Sequence, residues 1–83
     1  MILYSKSMPE LDLHGEDRVG ASIKINKFIE ENIILRNKEF AIVHGIGKDI
    51  LRKKTWEILK KDKRISEFCM DPFNSGCTLV RLK

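Results

Sequence analysis

Two strand-like stretches in this chain, one alternating and one apolar, each stop at a His-Gly pair, and each pair opens onto a helical pattern. The first is Leu11-Asp12-Leu13-His14-Gly15; the second is Phe40-Ala41-Ile42-Val43-His44-Gly45. In the second, Gly45 and Gly47 bracket a single residue, and Lys48 follows. A glycine turn of this kind lets the backbone approach a ligand closely. The unpaired N–H groups of the following helix favour an anion, and Lys48 adds a full charge. A phosphate fits such a turn, although a strand-to-helix connection that needs glycine only for its backbone angles would read the same way. If the two strands are parallel neighbours, both histidines lie at their C-terminal ends, where open α/β sheets bind ligands. Asp12 lies two residues before His14 and shares its strand face. Asp12, His14 and His44 are therefore nominated as a converging set.

The rest of the chain supplies a scaffold for that pair. Residues 1–8 read as an arm or linker remnant with Ile2, Leu3 and Tyr4 as anchors, and residues 9–83 as one domain. Asp17 is placed to cap a first helix running to about Arg36, with Ala21, Ile25, Phe28, Ile29 and Leu35 as its inward stripe. Val19 and Ile23 fall off the stripe and are assigned to the core edge. Gly20, inside that helix, should cost about 1 kcal/mol against alanine. A second strand spans residues 39–44. A second helix runs from Lys48 or Asp49 to about Lys61, with Leu51, Thr55, Ile58 and Leu59 inward and Arg52, Lys53, Lys60 and Lys63 outward. Trp56 borders this stripe between Lys53 and Lys60. It serves there as a lid on the core margin, or as a stacking surface for a base. Strands at 65–70 and 77–82 flank the turn-forming residues 71–76 and should be antiparallel. The order βαβαββ predicts an α/β two-layer sandwich, with two helices on one face of a four-stranded mixed sheet.

These motifs resemble the Smr (small MutS-related) domain family. LDLHG stands at Leu11–Gly15, HGxGxxxLR at His44–Arg52, and a closing Gly-x-Thr-x-Val-x-Leu pattern at Gly76–Leu82. Gly20 stands where that family commonly has Glu, and Asp49 where a further glycine is common. The resemblance implies a fold like the C-terminal domain of translation initiation factor 3. It also implies endonuclease activity on RNA, or nicking of DNA, in some members.

Charge points the same way. Residues 1–47 hold six Lys and Arg against seven Asp and Glu, residues 48–64 hold eight against three, and residues 65–83 hold two of each. The net +4 thus comes from the segment that begins at the glycine turn. A basic stripe continuous with a phosphate-shaped turn is the footprint of a nucleic-acid binder, whereas an ordinary solvated helix face is the plainer reading. Gly45, Gly47, Lys48, Arg52, Lys53, Trp56 and Lys60 are the nominated contacts. No apolar stretch is long enough to span a membrane, and the expected location is cytoplasmic. Cys69 and Cys77 should then be reduced, and a symmetric hairpin register would set them opposite each other.

Cleavage of a phosphodiester needs proton transfer and charge stabilisation. Histidine suits the first near neutral pH, with Asp12 to orient an imidazole, and Lys48 with the helix amides suits the second. RNA brings its own 2′-hydroxyl nucleophile, so no cofactor is required. DNA needs an activated water, for which Mg or Mn held by Asp12, His14 and His44 is the candidate cofactor. The readings that stay open are an endonuclease, a non-catalytic module for RNA, ribosomes or branched or duplex DNA, and a protein-interaction domain using Val19 and Ile23. The domain itself is expected to be monomeric.

Overall fold

The structure, a computed structural model, describes residues 2–47 and 49–83, so Lys48 lies outside the described residues. The chain runs β1 (Glu10–Asp12), α1 (Arg18–Leu35), β2 (Glu39–Val43), α2 (Ile50–Lys61), β3 (Ile65–Asp71) and β4 (Asn74–Leu82). The strands form one sheet in the order β1-β2-β4-β3. β1 pairs parallel with β2, while β2 and β3 both pair antiparallel with β4. This is the expected two-layer α/β sandwich.

β2 and β4 are the inner strands, which fits the burial of most of their residues. Phe40, Ile42, Val80 and Leu82 face the helices and pack with Ala21, Ile25 and Ile29 of α1 and Leu59 of α2. Phe28 meets Phe40 edge-on, with ring centroids 5.1 Å apart. On the opposite face, Ala41, Cys77 and Leu79 form a second cluster with Ile2, flanked by Met8 and Cys69. The arm therefore covers the back of the sheet through Ile2, while Leu3 and Tyr4 stay exposed.

α1 begins as read: the Asp17 carboxylate accepts from the Gly20 N–H at 2.7 Å. Gly20 thus lies in the first turn, where the cost of glycine is reduced, and a Cβ there would meet the Glu16 carboxylate. The C-terminal part of the stripe differs from expectation. Leu35 is exposed, and Asn32 is buried in the inward position. Its amide donates to the Phe28 carbonyl at 2.8 Å, and its side-chain oxygen accepts from Asn37 at 3.1 Å, so burial leaves its polar atoms satisfied. Val19 and Ile23 are not core edge either; both are about two-thirds exposed.

The β3–β4 connection is tighter than the six-residue turn expected. Asp71 pairs with Asn74, leaving Pro72 and Phe73 at the tip, and Asn74–Gly76 belongs to β4. The Asp71 carboxylate accepts from the Phe73 N–H at 3.0 Å, which closes the turn early. A register shift between Met70 and Asp71 then sets Cys69 opposite Leu79, not Cys77. Both cysteines are free thiols. Burial, with smaller contributions from Asp71 and Glu10, pushes the Cys77 thiol up to about 11.

Candidate functional site

The parallel pairing of β1 with β2 brings the two His-Gly turns side by side. Asp12 is in register with Val43, and the Leu13 N–H donates to the Val43 carbonyl at 2.8 Å. His14, Gly15, His44, Gly45 and Gly47 line one cleft of about 630 Å³, together with the starts of α1 and α2. Gly15 and Gly45 have φ of 79° and 84°, a conformation glycine adopts without steric cost. Asp49 also has a left-handed φ of 62°, so this acidic residue sits in a conformation that suits glycine.

The His44 turn is braced from β4. The His44 and Gly45 N–H groups both donate to the Gly76 carbonyl, at 2.9 and 3.0 Å. A Cβ at Gly76 would lie 3.2 Å from both the Gly45 carbonyl carbon and the Ile46 side chain, so β4 approaches the turn closely. The imidazole is buried. Its Nδ1 lies 3.1 Å from the Gly45 carbonyl, and its Nε2 lies 2.8 Å from Thr78 Oγ1. A carbonyl can only accept, so Nδ1 carries the hydrogen. Thr78 in turn accepts from Trp56 Nε1–H at 2.9 Å, which leaves its own O–H to donate to Nε2. One chain of bonds thus runs from Trp56 through Thr78 and His44 to Gly45, and it suits a neutral ring. Burial pushes the His44 pKa below its usual value; the Gly45 carbonyl opposes this, Arg52 lowers it further and Asp49 raises it.

His14 is the opposite case. It is exposed, and no side chain among the described residues hydrogen-bonds its ring. Asp12 does not orient that ring. Its carboxylate accepts from the His14 backbone N–H at 2.9 Å and so shapes the turn. Of the three nominated side chains, His14 and His44 border the cleft, while Asp12 acts through the backbone.

Arg52 does not project freely into solvent. Its guanidinium lies 5.6 Å from the centroid of the Trp56 ring and 3.2 Å from the Asp49 carboxylate, and it borders the cleft. Its Nε is buried without a partner among the described residues. Trp56 also packs edge-on against Phe68 at 5.5 Å, so its ring seals the core margin. Glu16, Asp17 and Asp49 border the cleft as well, but each is engaged: Glu16 with Lys24 at 2.9 Å, Asp17 at the α1 cap and Asp49 with Arg52. In the basic segment, Arg64 is held by Asp62 and Asn26, and Lys54 pairs with Glu57. Lys53, Lys60, Lys61 and Lys63 remain exposed, without an ion pair among the described residues.

Thr78 and Gly76 are the site residues that sequence reasoning passed over. Thr78 occupies a helix-facing position of β4, between Gly76 and Val80, where an apolar residue is the rule. That polar intrusion was the available signal. Among the described residues, no three His, Cys, Asp or Glu side chains come together as a ligand set for a metal ion. No helix of the described residues is long and apolar enough to cross a membrane.

Comparison with known proteins agrees with this geometry. The Smr domain family model matches residues 11–83. Proteins named endonuclease MutS2 are similar: that of Streptococcus suis is 36% identical over 88% of this chain, and that of a Geobacillus species 35% identical over 89%. The chain spans about 10% of the length of each of these relatives. The crystal structure of the Smr domain of Thermus thermophilus MutS2 superposes with a TM-score of 0.88 at 30% identity, covering 92% of this chain and 99% of that one. The fold also matches YdaL, a stand-alone small MutS-related protein from Escherichia coli, with a TM-score of 0.86 at 19% identity, covering 93% of this chain and 66% of that one. With the family model spanning both His-Gly motifs and the closing strand, this chain belongs to the Smr domain family.

Proposed function

We propose that this domain binds nucleic acid and cuts its phosphodiester backbone at the cleft between the two His-Gly turns, acting on RNA or nicking DNA. The observation that carries the reading is an exposed imidazole with free ring nitrogens, His14, beside a glycine turn held rigid from behind by His44. The endonuclease name of the MutS2 relatives supports it.

His14 is the group that moves a proton. It takes one from the attacking 2′-hydroxyl of RNA, or from water on DNA, or it gives one to the departing oxygen. The Arg52 guanidinium and the unpaired amides of the first α2 turn receive the phosphate oxygens, with Lys48 as the sequence's further nominee. His44 is a positioning residue: its lone pair is spent on Thr78, and its Nδ1–H fixes the Gly45 carbonyl. Gly45 and Gly47 keep the turn open to the backbone of the substrate. Lys53 and Lys60 on the outer face of α2 follow the neighbouring phosphates. Asp12, His14 and His44 do not come together as a ligand set for Mg or Mn among the described residues, and both His44 nitrogens are bonded. The steps assigned here therefore use the chain's own groups.

A second reading, binding without cleavage, is favoured by the fact that both His44 nitrogens are bonded, which leaves His14 as the one nominated imidazole with free nitrogens among the described residues. One assay decides between them. The purified domain is incubated with single-stranded RNA, structured RNA and supercoiled DNA, each with magnesium, manganese or EDTA. Cleavage of at least one substrate is expected; binding without cleavage of any would establish the second reading. Binding should weaken steeply with salt, because counterions released from phosphates drive it. Changing Lys53 and Lys60 together to alanine should lower affinity for all sequences about equally and flatten the salt slope. A salt-independent affinity would contradict the basic surface.

A further inference from the structure

Among the described residues, Phe73 is 94% exposed, more than any other large apolar side chain. It sits at the tip of the β3–β4 turn, which is not a loose loop. The Asp71 carboxylate holds the Phe73 N–H at 3.0 Å, and the Asn74 side chain holds the Gly76 N–H at 3.0 Å. Gly76 in turn receives both the His44 and Gly45 N–H groups. The tip is therefore tied, through three residues of strand, to the same turn that forms the cleft.

Topology fixes which edge the tip occupies. β4 runs antiparallel to β2, so the start of β4 lies beside the end of β2, with Cys77 opposite Val43. The hairpin tip and both histidines thus share one edge of the sheet. At about 3.4 Å per strand residue, Phe73 stands roughly 10 Å along the strand from Gly76. One or two nucleotides span that distance.

The other aromatic rings are committed elsewhere. Phe28 and Phe40 pack on each other in the core. Trp56 has Phe68 at its edge, Arg52 over its ring and Thr78 on its N–H. The Tyr4 hydroxyl bonds to Glu10 at the start of β1. A ring that is exposed, backed by a tethered turn and placed at the same end of the sheet as the cleft offers a π-face to a base and costs little conformational entropy on binding.

We infer that Phe73 is a stacking platform for an unpaired base next to the phosphate held in the cleft, which makes single-stranded or locally unpaired nucleic acid the favoured substrate. The inference rests on the proposed nucleic-acid reading of the cleft. It also moves the stacking role from Trp56, where spacing suggested it, to the hairpin tip.

The test compares wild type, Phe73→Ala and Phe73→Trp on three probes of equal length: a single-stranded oligonucleotide, its duplex and an abasic strand with the same phosphates. Because Phe73 is exposed, both variants should fold. Phe73→Ala should lose about tenfold in affinity for the single strand, the order of one lost base stack, and almost nothing on the duplex or the abasic strand. Phe73→Trp should restore single-strand binding. Equal single-strand affinity in wild type and Phe73→Ala would overturn the stacking role while leaving the cleft reading intact. So would an equal loss on all three probes, which would mean a contact blind to bases. If the wild type binds none of the probes, the nucleic-acid reading fails and the stacking role fails with it.

Discussion

The two His-Gly turns look alike in the sequence, yet the fold treats them as opposites. At His44 the ring is buried, both nitrogens are bonded, and β4 supplies the partners through Thr78 and Gly76. At His14 the ring is exposed, and the nearby carboxylate of Asp12 is spent on the backbone. Position in the sheet explains the difference. β2 is an inner strand, so the residue that follows it is enclosed by α2 on one face and β4 at its side. β1 is an edge strand three residues long, and His14, two residues beyond its end, is exposed. The same dipeptide therefore yields a brace at one turn and an exposed, unbonded imidazole at the other.

The largest effect that should separate the two turns is on stability. Thr78→Val removes a hydroxyl without changing the volume much. It leaves the Trp56 N–H and His44 Nε2 without partners in a buried setting. We expect a loss of about 2–3 kcal/mol, and a melting temperature lower by roughly 10–20 °C for a domain of this size. Thr78→Ser should recover most of it. A Thr78→Val protein that melts within a degree or two of wild type would show that this chain of bonds does not hold His44.

A smaller effect should appear with pH. Because burial lowers the His44 pKa in the folded state, the unfolded chain binds that proton more readily. By linkage, the stability owed to neutral His44 is complete above its ordinary value of about 6.5 and is lost as pH falls from there toward the lower folded value. Melting curves of wild type and His44→Gln between pH 8 and pH 5 isolate the effect, since every other group is common to both proteins. The stability advantage of wild type should shrink as the solution is acidified. An advantage that stays constant across that range would contradict a buried neutral ring.

Much of this arrangement was legible in the sequence. Glycines after apolar runs marked the strand ends, Asp17 marked the α1 start, and the two His-Gly pairs located the cleft. What periodicity could not supply was the partner of each side chain. Asn32 is inward because Phe28 and Asn37 satisfy its amide, and no spacing rule anticipates that exchange with Leu35. Trp56 was open to sealing the core or to stacking on sequence grounds, and no spacing rule anticipates that Thr78, 22 residues away, accepts its N–H. The cysteines miss each other because the two-residue tip and a register shift near Met70 both move the pairing, and strand patterning is blind to such shifts. Val19 and Ile23 have helical spacing appropriate to a core edge, but they line an open groove between α1 and α2 and stay about two-thirds exposed.

The central claim is that His14 performs the chemistry and His44 holds the turn. It is tested most directly by His14→Ala, measured for melting temperature, nucleic-acid affinity and cleavage on one preparation. Removing an exposed, unbonded ring should change stability by no more than about 0.5 kcal/mol. Binding through the α2 lysines should remain close to wild type, and cleavage should fall by about 10²-fold or more, the usual scale for a lost proton-transfer group. A His14→Ala domain that cleaves at the wild-type rate per folded molecule would contradict the account.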